Sequence, residues 1–239
     1  MVVTEQISNS FGKWMKYFRP FVESEAFDKI FIELKKRKGT VRTAPDAKDV
    51  FRCFTATDPD HLKCILVGIS PYHTWEGDKC IADGLMMSCS KTKREQPPLT
   101  NLYDELFRVY NYDETVIRDT DLSGLAIQGV LLYNVGLTVQ ENKACSDNEL
   151  WAKFDKYFWE NVINVYFRGL PIVFMGDRCH KSANYLTPML HYPMKISHPA
   201  SISYTGKESW SSEGVFKKID QILKENSKSG VMWLSDLPF

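Results

Sequence analysis

Four short apolar runs, each closed by polar or Gly/Pro-rich residues, set the pattern of this chain: Cys64-Ile65-Leu66-Val67, Gly129-Val130-Leu131-Leu132-Tyr133, Pro171-Ile172-Val173-Phe174-Met175 and Met194-Lys195-Ile196. Continuous apolar runs of this length between turn formers predict strands buried on both faces. Between them, apolar residues recur at helical spacing. Phe27, Ile30, Phe31 and Leu34 mark a helix within residues 10–38, with Lys35-Lys36-Arg37-Lys38 in its last turn and Gly39 as its stop. Asp49 to Phe54 predicts a short helix after a connection at Thr43 to Asp46, and Asn101 to Tyr110 predicts another. Ser146 and Glu149 have capping-box spacing and open a long helix with the apolar stripe Leu150, Phe154, Tyr157, Phe158, Val162 and Tyr166. Residues 213–225 form the last amphipathic helix, before a tail from Val231 to Phe239 that carries Trp233. Strands alternating with helices predict an α/β fold: one α/β/α sandwich around a four-stranded, mainly parallel sheet. That single domain is expected to span residues 1–239, with residues 1–45 a helical region packed on it.

Charge narrows the choice of partner. Thirty basic residues balance thirty acidic ones in the 239-residue chain, so any nucleic-acid binding must use a local patch or backbone dipoles. No apolar run approaches membrane-spanning length, and MVVTEQISNS lacks the charged and apolar regions of a signal peptide. A cytoplasmic protein without a membrane partner is expected, in the host cytoplasm if viral and the nucleus if eukaryotic. None of the six cysteines has CxxC spacing, which argues against zinc or iron–sulfur and for reduced thiols. GxGxxG and GxxxxGK[ST] are both missing, which argues against a dinucleotide or ATP enzyme.

The chemistry gathers where the strands end. The first run exits into Ser70-Pro71-Tyr72-His73, the second into Asn134, the third into Gly176-Asp177-Arg178 and the fourth into Ser197-His198-Pro199. Ligands of open α/β sheets bind beyond the carboxyl ends of strands, so these four exits predict one crevice. A basic stretch from Lys91 to Arg94 leads into the stiff pair Pro97-Pro98 nearby in sequence.

These residues occur in the order of a known family, and the chain resembles the family 1 uracil-DNA glycosylases along nearly its whole length. The family's GQDPYH is matched by Gly68-Ile69-Ser70-Pro71-Tyr72-His73, and its GLCFS by Gly84-Leu85-Met86-Met87-Ser88. Its proline-rich loop is matched by Gln96-Pro97-Pro98, and its QGVLLLN-x-x-LTV by Gln128 to Val139. Its HPSPLS is matched by His198-Pro199-Ala200-Ser201-Ile202-Ser203.

The resemblance implies base flipping into a pocket and cleavage of the N-glycosidic bond. It implies that Asn134 reads the base edge, that Tyr72 excludes a C5 methyl, and that Ile69 and Met87 complete the base pocket. By the same likeness Ile202 is the wedge that enters the base stack. The resemblance further implies that His73, Pro97, Pro98, Gly176, Asp177, Ala200, Ser201 and Ser203 contact DNA, and that His198 stabilises the departing uracil anion as an oxyanion hole does. Ser70 stands where the family has the Asp that positions the attacking water; a hydroxyl can orient water but supplies no charge. Ile69 replaces a Gln and Met87 a stacking Phe, and the loop after His73 is about four residues longer than the family's. One of Glu76, Asp78, Asp83 or Asp177 is the candidate to replace the missing carboxylate, Asp83 standing where the family has a histidine.

Two function classes follow. One is a monomeric glycosylase acting on uracil or a related modified pyrimidine in single- or double-stranded DNA, with no cofactor and no metal. The other is a non-catalytic DNA-binding or replication-accessory protein, with replication proteins as partners, that keeps the same fold.

Overall fold

The computed structural model describes residues 5–112 and 116–234, so residues 235–239 of the tail lie outside the described residues. Four strands form the central sheet: β1 (Cys64–Gly68), β2 (Val130–Asn134), β3 (Pro171–Met175) and β4 (Tyr192–Ile196). Their spatial order is β2-β1-β3-β4, and every neighbouring pair is parallel. All residues of β1, β2 and β3 are buried, which is why these strands read as unbroken apolar runs. The edge strand β4 exposes Tyr192, Pro193 and Lys195 and buries only Met194 and Ile196. A proline and a lysine are edge residues, because neither invites a further strand.

Register decides where the site lies. Gly68 pairs with Asn134, and Met175 pairs with Ile196. The segments beginning at Ile69, Val135, Gly176 and Ser197 therefore all leave the sheet at one edge.

The N-terminal region departs from a single helix over 10–38. It forms helices Glu5–Phe11, Met15–Val22 and Glu25–Arg37, with a 3-10 turn at Gly12–Trp14. Gly12 has φ +52, and Ser24 is extended before the third helix, so the backbone bends twice. These bends let Phe11, Trp14, Phe18 and Phe27 converge in one aromatic cluster. Phe18 stacks on Phe154 at 5.1 Å between ring centres, and Phe11 lies 4.3 Å from Phe51.

Four other local expectations are corrected. Thr43–Ala44 is a short strand antiparallel to Val139–Gln140 rather than a plain connection. Pro97 and Pro98 open the helix Pro97–Tyr110 instead of preceding it in a loop, a position that suits residues lacking an N–H. The capping box does not form: Ser146 Oγ accepts from Gln140 N at 2.8 Å, and helix Asn148–Tyr157 starts behind Asp147. The long helix then passes through a π turn at Phe158–Ile163. The wider turn rotates the buried face, so Trp159 and Ile163 enter the core while Tyr166 is left 57% exposed.

Candidate active site

Two glycines show how closely the strand ends meet. A Cβ on Gly68 would stand 2.5 Å from Asn134 Oδ1 and 2.6 Å from Met86 Cγ. Gly176 has φ +94, and a Cβ there would lie 3.2 Å from both His198 Cβ and Ile69 Cδ1. Ile69, Met86, Asn134, Gly176 and His198 thus gather at the carboxyl edge of the sheet, where the candidate crevice lies. Asn134 is buried there, with a side chain able to donate and accept at once.

Met87 follows Met86 in the chain and holds Tyr72 beside it. The Tyr72 hydroxyl donates to the Met87 carbonyl at 3.1 Å, and burial raises its pKa well above the ordinary tyrosine value, so it stays neutral. Met87 is buried and has φ +62.

His198 occupies the turn after β4. Its Nδ1 accepts the Ala200 N–H at 3.1 Å, so the proton of the neutral ring resides on Nε2. Burial lowers its pKa to about 4. At neutral pH this ring is therefore an uncharged donor through Nε2. The turn around it is braced from three sides. Asn101 Nδ2 donates to the Pro199 carbonyl at 2.8 Å, Trp210 Nε1 donates to the Ser197 carbonyl at 3.1 Å, and Ser203 Oγ donates to the Ala200 carbonyl at 2.8 Å. Ser201 is buried, Ala200 and Ile202 are half-buried, and Ser203 is exposed.

The remaining residues differ in their fitness for a ligand. Ser70 is half-buried, with its hydroxyl 3.3 Å from the Pro71 carbonyl. His73 Nδ1 is buried without a hydrogen-bond partner among the described residues, a state that suits a bound polar group. Pro97 is exposed and Pro98 half-buried; the Asn101–Pro199 bond ties their helix to the His198 turn.

The carboxylate candidates do not enter the crevice as a group. Asp83 is 1% exposed, and its Oδ2 pairs with Arg52 Nη1 at 2.8 Å and accepts from Ser88 and Ser90. That pairing overturns the expectation that Asp83 is free to hold water. The Asp177 side chain is fully exposed, 3.5 Å from His180 Nδ1, and Glu76 pairs with Arg94 at 3.4 Å. The extra length after His73 forms a hairpin, Trp75–Glu76 against Lys79–Cys80, with Asp78 exposed at its tip.

Among the described residues, no group of three or more His, Cys, Asp or Glu is arranged to hold a metal, and no helix is long and apolar enough to cross a membrane. Burial raises the thiol pKa of Cys53, Cys64 and Cys179, which removes them as nucleophiles.

No protein-family profile matches the chain. Uracil-DNA glycosylase 1 of Listeria innocua is 32% identical over 224 residues, covering 92% of this chain and 97% of that protein. The chain belongs to the uracil-DNA glycosylases. A uracil-DNA glycosylase of Buchnera aphidicola is 30% identical over 223 residues, again covering 92% of this chain and 97% of the relative. The crystal structure of mimivirus uracil-DNA glycosylase superposes with a TM-score of 0.82 over 94% of this chain and 87% of that one. At 20% identity that likeness shows the fold.

The roles missed from sequence are contacts, even where the residue stands within a motif, as Met86 does. Met86 packs over the end of β1, and Asn101 braces Pro199 from another helix. No local signal marks either one. The clue to Met86 lay in Gly68, since a glycine ending an apolar strand implies a close approach.

Proposed function

We propose that this chain is a monofunctional DNA glycosylase of the family 1 type, cleaving the N-glycosidic bond of uracil flipped out of DNA. The observation that carries this reading is His198: a half-buried, neutral imidazole whose Nδ1 is occupied by Ala200 N–H and whose Nε2–H is free to donate. A neutral donor strengthens its bond as negative charge develops on uracil O2, which is where transition-state stabilisation is needed.

The other roles follow from position. Asn134 pairs with the Watson–Crick edge, Tyr72 closes the space beside C5, and Ile69 and Met87 supply apolar surface. Ile202 enters the stack left by the flipped base. Ser201, Ser203, Ala200, Gly176, His73, Asp177 and the Pro97-Pro98 helix start line the DNA strand. In the reaction the C1′–N1 bond breaks with its electron pair on uracil. The oxygen of a water oriented by Ser70 then bonds to C1′, and the proton lost by that water ends on the uracil anion. The products are free uracil and an abasic site. No step needs a metal or cofactor, and a monomer contains every group named.

A second reading, a DNA-binding protein with the cleavage lost, is favoured by Ser70 together with the positions of Asp83 and Asp177. The test is a single-stranded oligonucleotide with one uracil, compared with the same strand carrying thymine or cytosine. Release of free uracil with an alkali-labile site is expected from the first strand only. Specific binding without release supports the second reading, and neither binding nor release overturns both.

A further inference from the structure

The buried Asp83 carboxylate is the centre of a closed turn. Its Oδ1 accepts the Leu85 N–H at 3.1 Å; its Oδ2 accepts the Ser88 hydroxyl at 2.5 Å, the Ser90 hydroxyl at 2.6 Å and the Ser90 N–H at 3.1 Å. Arg52 adds an ion pair at 2.8 Å and reaches Asp121 with its other nitrogen at 2.9 Å. Gly84 allows the approach: at φ +95, a Cβ there would stand 2.0 Å from the Asp49 carbonyl.

The turn that Asp83 closes carries Met86 and Met87. Met86 N donates to the Leu132 carbonyl at 3.1 Å, which ties the turn to β2. Met87, held in the left-handed region that side chains rarely adopt, offers its carbonyl to the Tyr72 hydroxyl. The wall beside the base is therefore held in series: Arg52 holds Asp83, Asp83 holds residues 85–90, and Met87 holds Tyr72.

We propose that Asp83, clamped by Arg52, is a positioning residue that fixes the width of the base pocket and so its selectivity against pyrimidines substituted at C5. The inference rests on the glycosylase reading of the crevice. Every group facing the Asp83 carboxylate is a donor, so asparagine keeps its shape but turns an NH2 towards hydroxyls and amides. The turn then loosens, Met87 loses its fixed conformation, and Tyr72 loses its anchor. A pocket that distinguishes one methyl is worth about 10–200-fold in discrimination, and that is the quantity at risk.

The experiment measures binding of single-stranded oligonucleotides carrying 2′-fluoro-deoxyuridine or 2′-fluoro-thymidine, whose fluorine blocks cleavage. Asp83→Asn is expected to lower the uracil-to-thymine affinity ratio about tenfold. Ser90→Ala, which removes one hydroxyl from the turn, is expected to lower it less. Both variants are expected to speed amide exchange at residues 85–90. Glu105→Gln, at a buried carboxylate held by Arg108 and Ser212 on another element, serves as the control and is expected to leave the ratio unchanged. An unchanged ratio in folded Asp83→Asn and Ser90→Ala overturns the proposal, as does an equal change in Glu105→Gln. A wild type without preference for the uracil strand overturns the pocket and the proposal together. A wild type that prefers the uracil strand in binding yet releases no uracil from an unfluorinated strand loses only cleavage, and the ratio in Asp83→Asn still decides the proposal.

Discussion

Replacing Gly68 by alanine probes the crevice at its tightest point. Gly68 lies in a strand at ordinary φ, so the substitution adds no backbone strain and in isolation favours the fold by about 0.5–1 kcal/mol. The added Cβ, however, would sit 2.5 Å from Asn134 Oδ1 and 2.6 Å from Met86 Cγ, where ordinary contact begins near 3.4 Å. Asn134 must therefore retreat by about 1 Å, because the backbone on both sides is fixed by the β1–β2 register. Overpacking of this kind costs about 1–3 kcal/mol, so the variant should fold with only a modest loss of stability. A displacement of about 1 Å in a substrate-positioning group can cost about 10²-fold in rate, so kcat/KM for uracil release should fall about that far. The assay is single-turnover release from a uracil strand, with thermal unfolding followed in parallel. Gly230→Ala, whose Cβ meets nothing closer than 3.8 Å, is the matched control. Full activity in a folded Gly68→Ala protein would refute the placement of Asn134 against the base.

Acidity supplies the next test. With the His198 pKa lowered to about 4, uracil release should persist to pH 5, and an acid limb centred near 6.5 would contradict the neutral imidazole. Stability carries a related signature. His191 and His198 are both lowered to about 4 by burial, so the unfolded chain takes their protons first, and stability is lost as pH falls from 6.5 towards 4. Asp155, raised to about 6 by burial, is protonated first in the folded state and restores some stability below pH 6. These three groups together should cost about 2 kcal/mol between pH 7 and pH 5, read by urea unfolding; equal stability at the two values would show that the histidines are not held neutral. Ile202→Ala should weaken release from duplex DNA about tenfold or more and leave single-stranded DNA nearly untouched, because only a duplex has a stack to open. Equal losses on both substrates would remove Ile202 as the wedge.

How much of this was legible in the sequence depended on the range of the interactions. The four strands were readable because each is buried on both faces or ends in turn formers, and their alternation with helices implied the parallel sheet. Asn134, Tyr72 and His198 could be placed at one edge for the same reason, since each lies at or a few residues past the end of a strand. The order β2-β1-β3-β4 was not readable, because nothing local says on which side of β1 a crossover lands. Asp83 illustrates the same limit within the site. Its sequence neighbours made it a loop carboxylate free to act, but its partner is Arg52, thirty-one residues earlier, and that pairing takes it out of the crevice. Asn101 and Met86 acquire their parts only through contacts across the fold. The rotation of the long helix needed a π turn that the apolar stripe alone did not reveal.

In the proposed mechanism His198, a neutral donor at the strand ends, drives uracil release with Ser70 in the place of a carboxylate. It is tested most directly by single-turnover rates on one uracil-containing single strand for the wild type, His198→Ala and Ser70→Asp. Clear release is expected from the wild type, with a loss of about 10²–10³-fold in His198→Ala and an equal or faster rate in Ser70→Asp. Release that survives unchanged in His198→Ala would contradict it, and so would a wild type that is silent while Ser70→Asp cleaves.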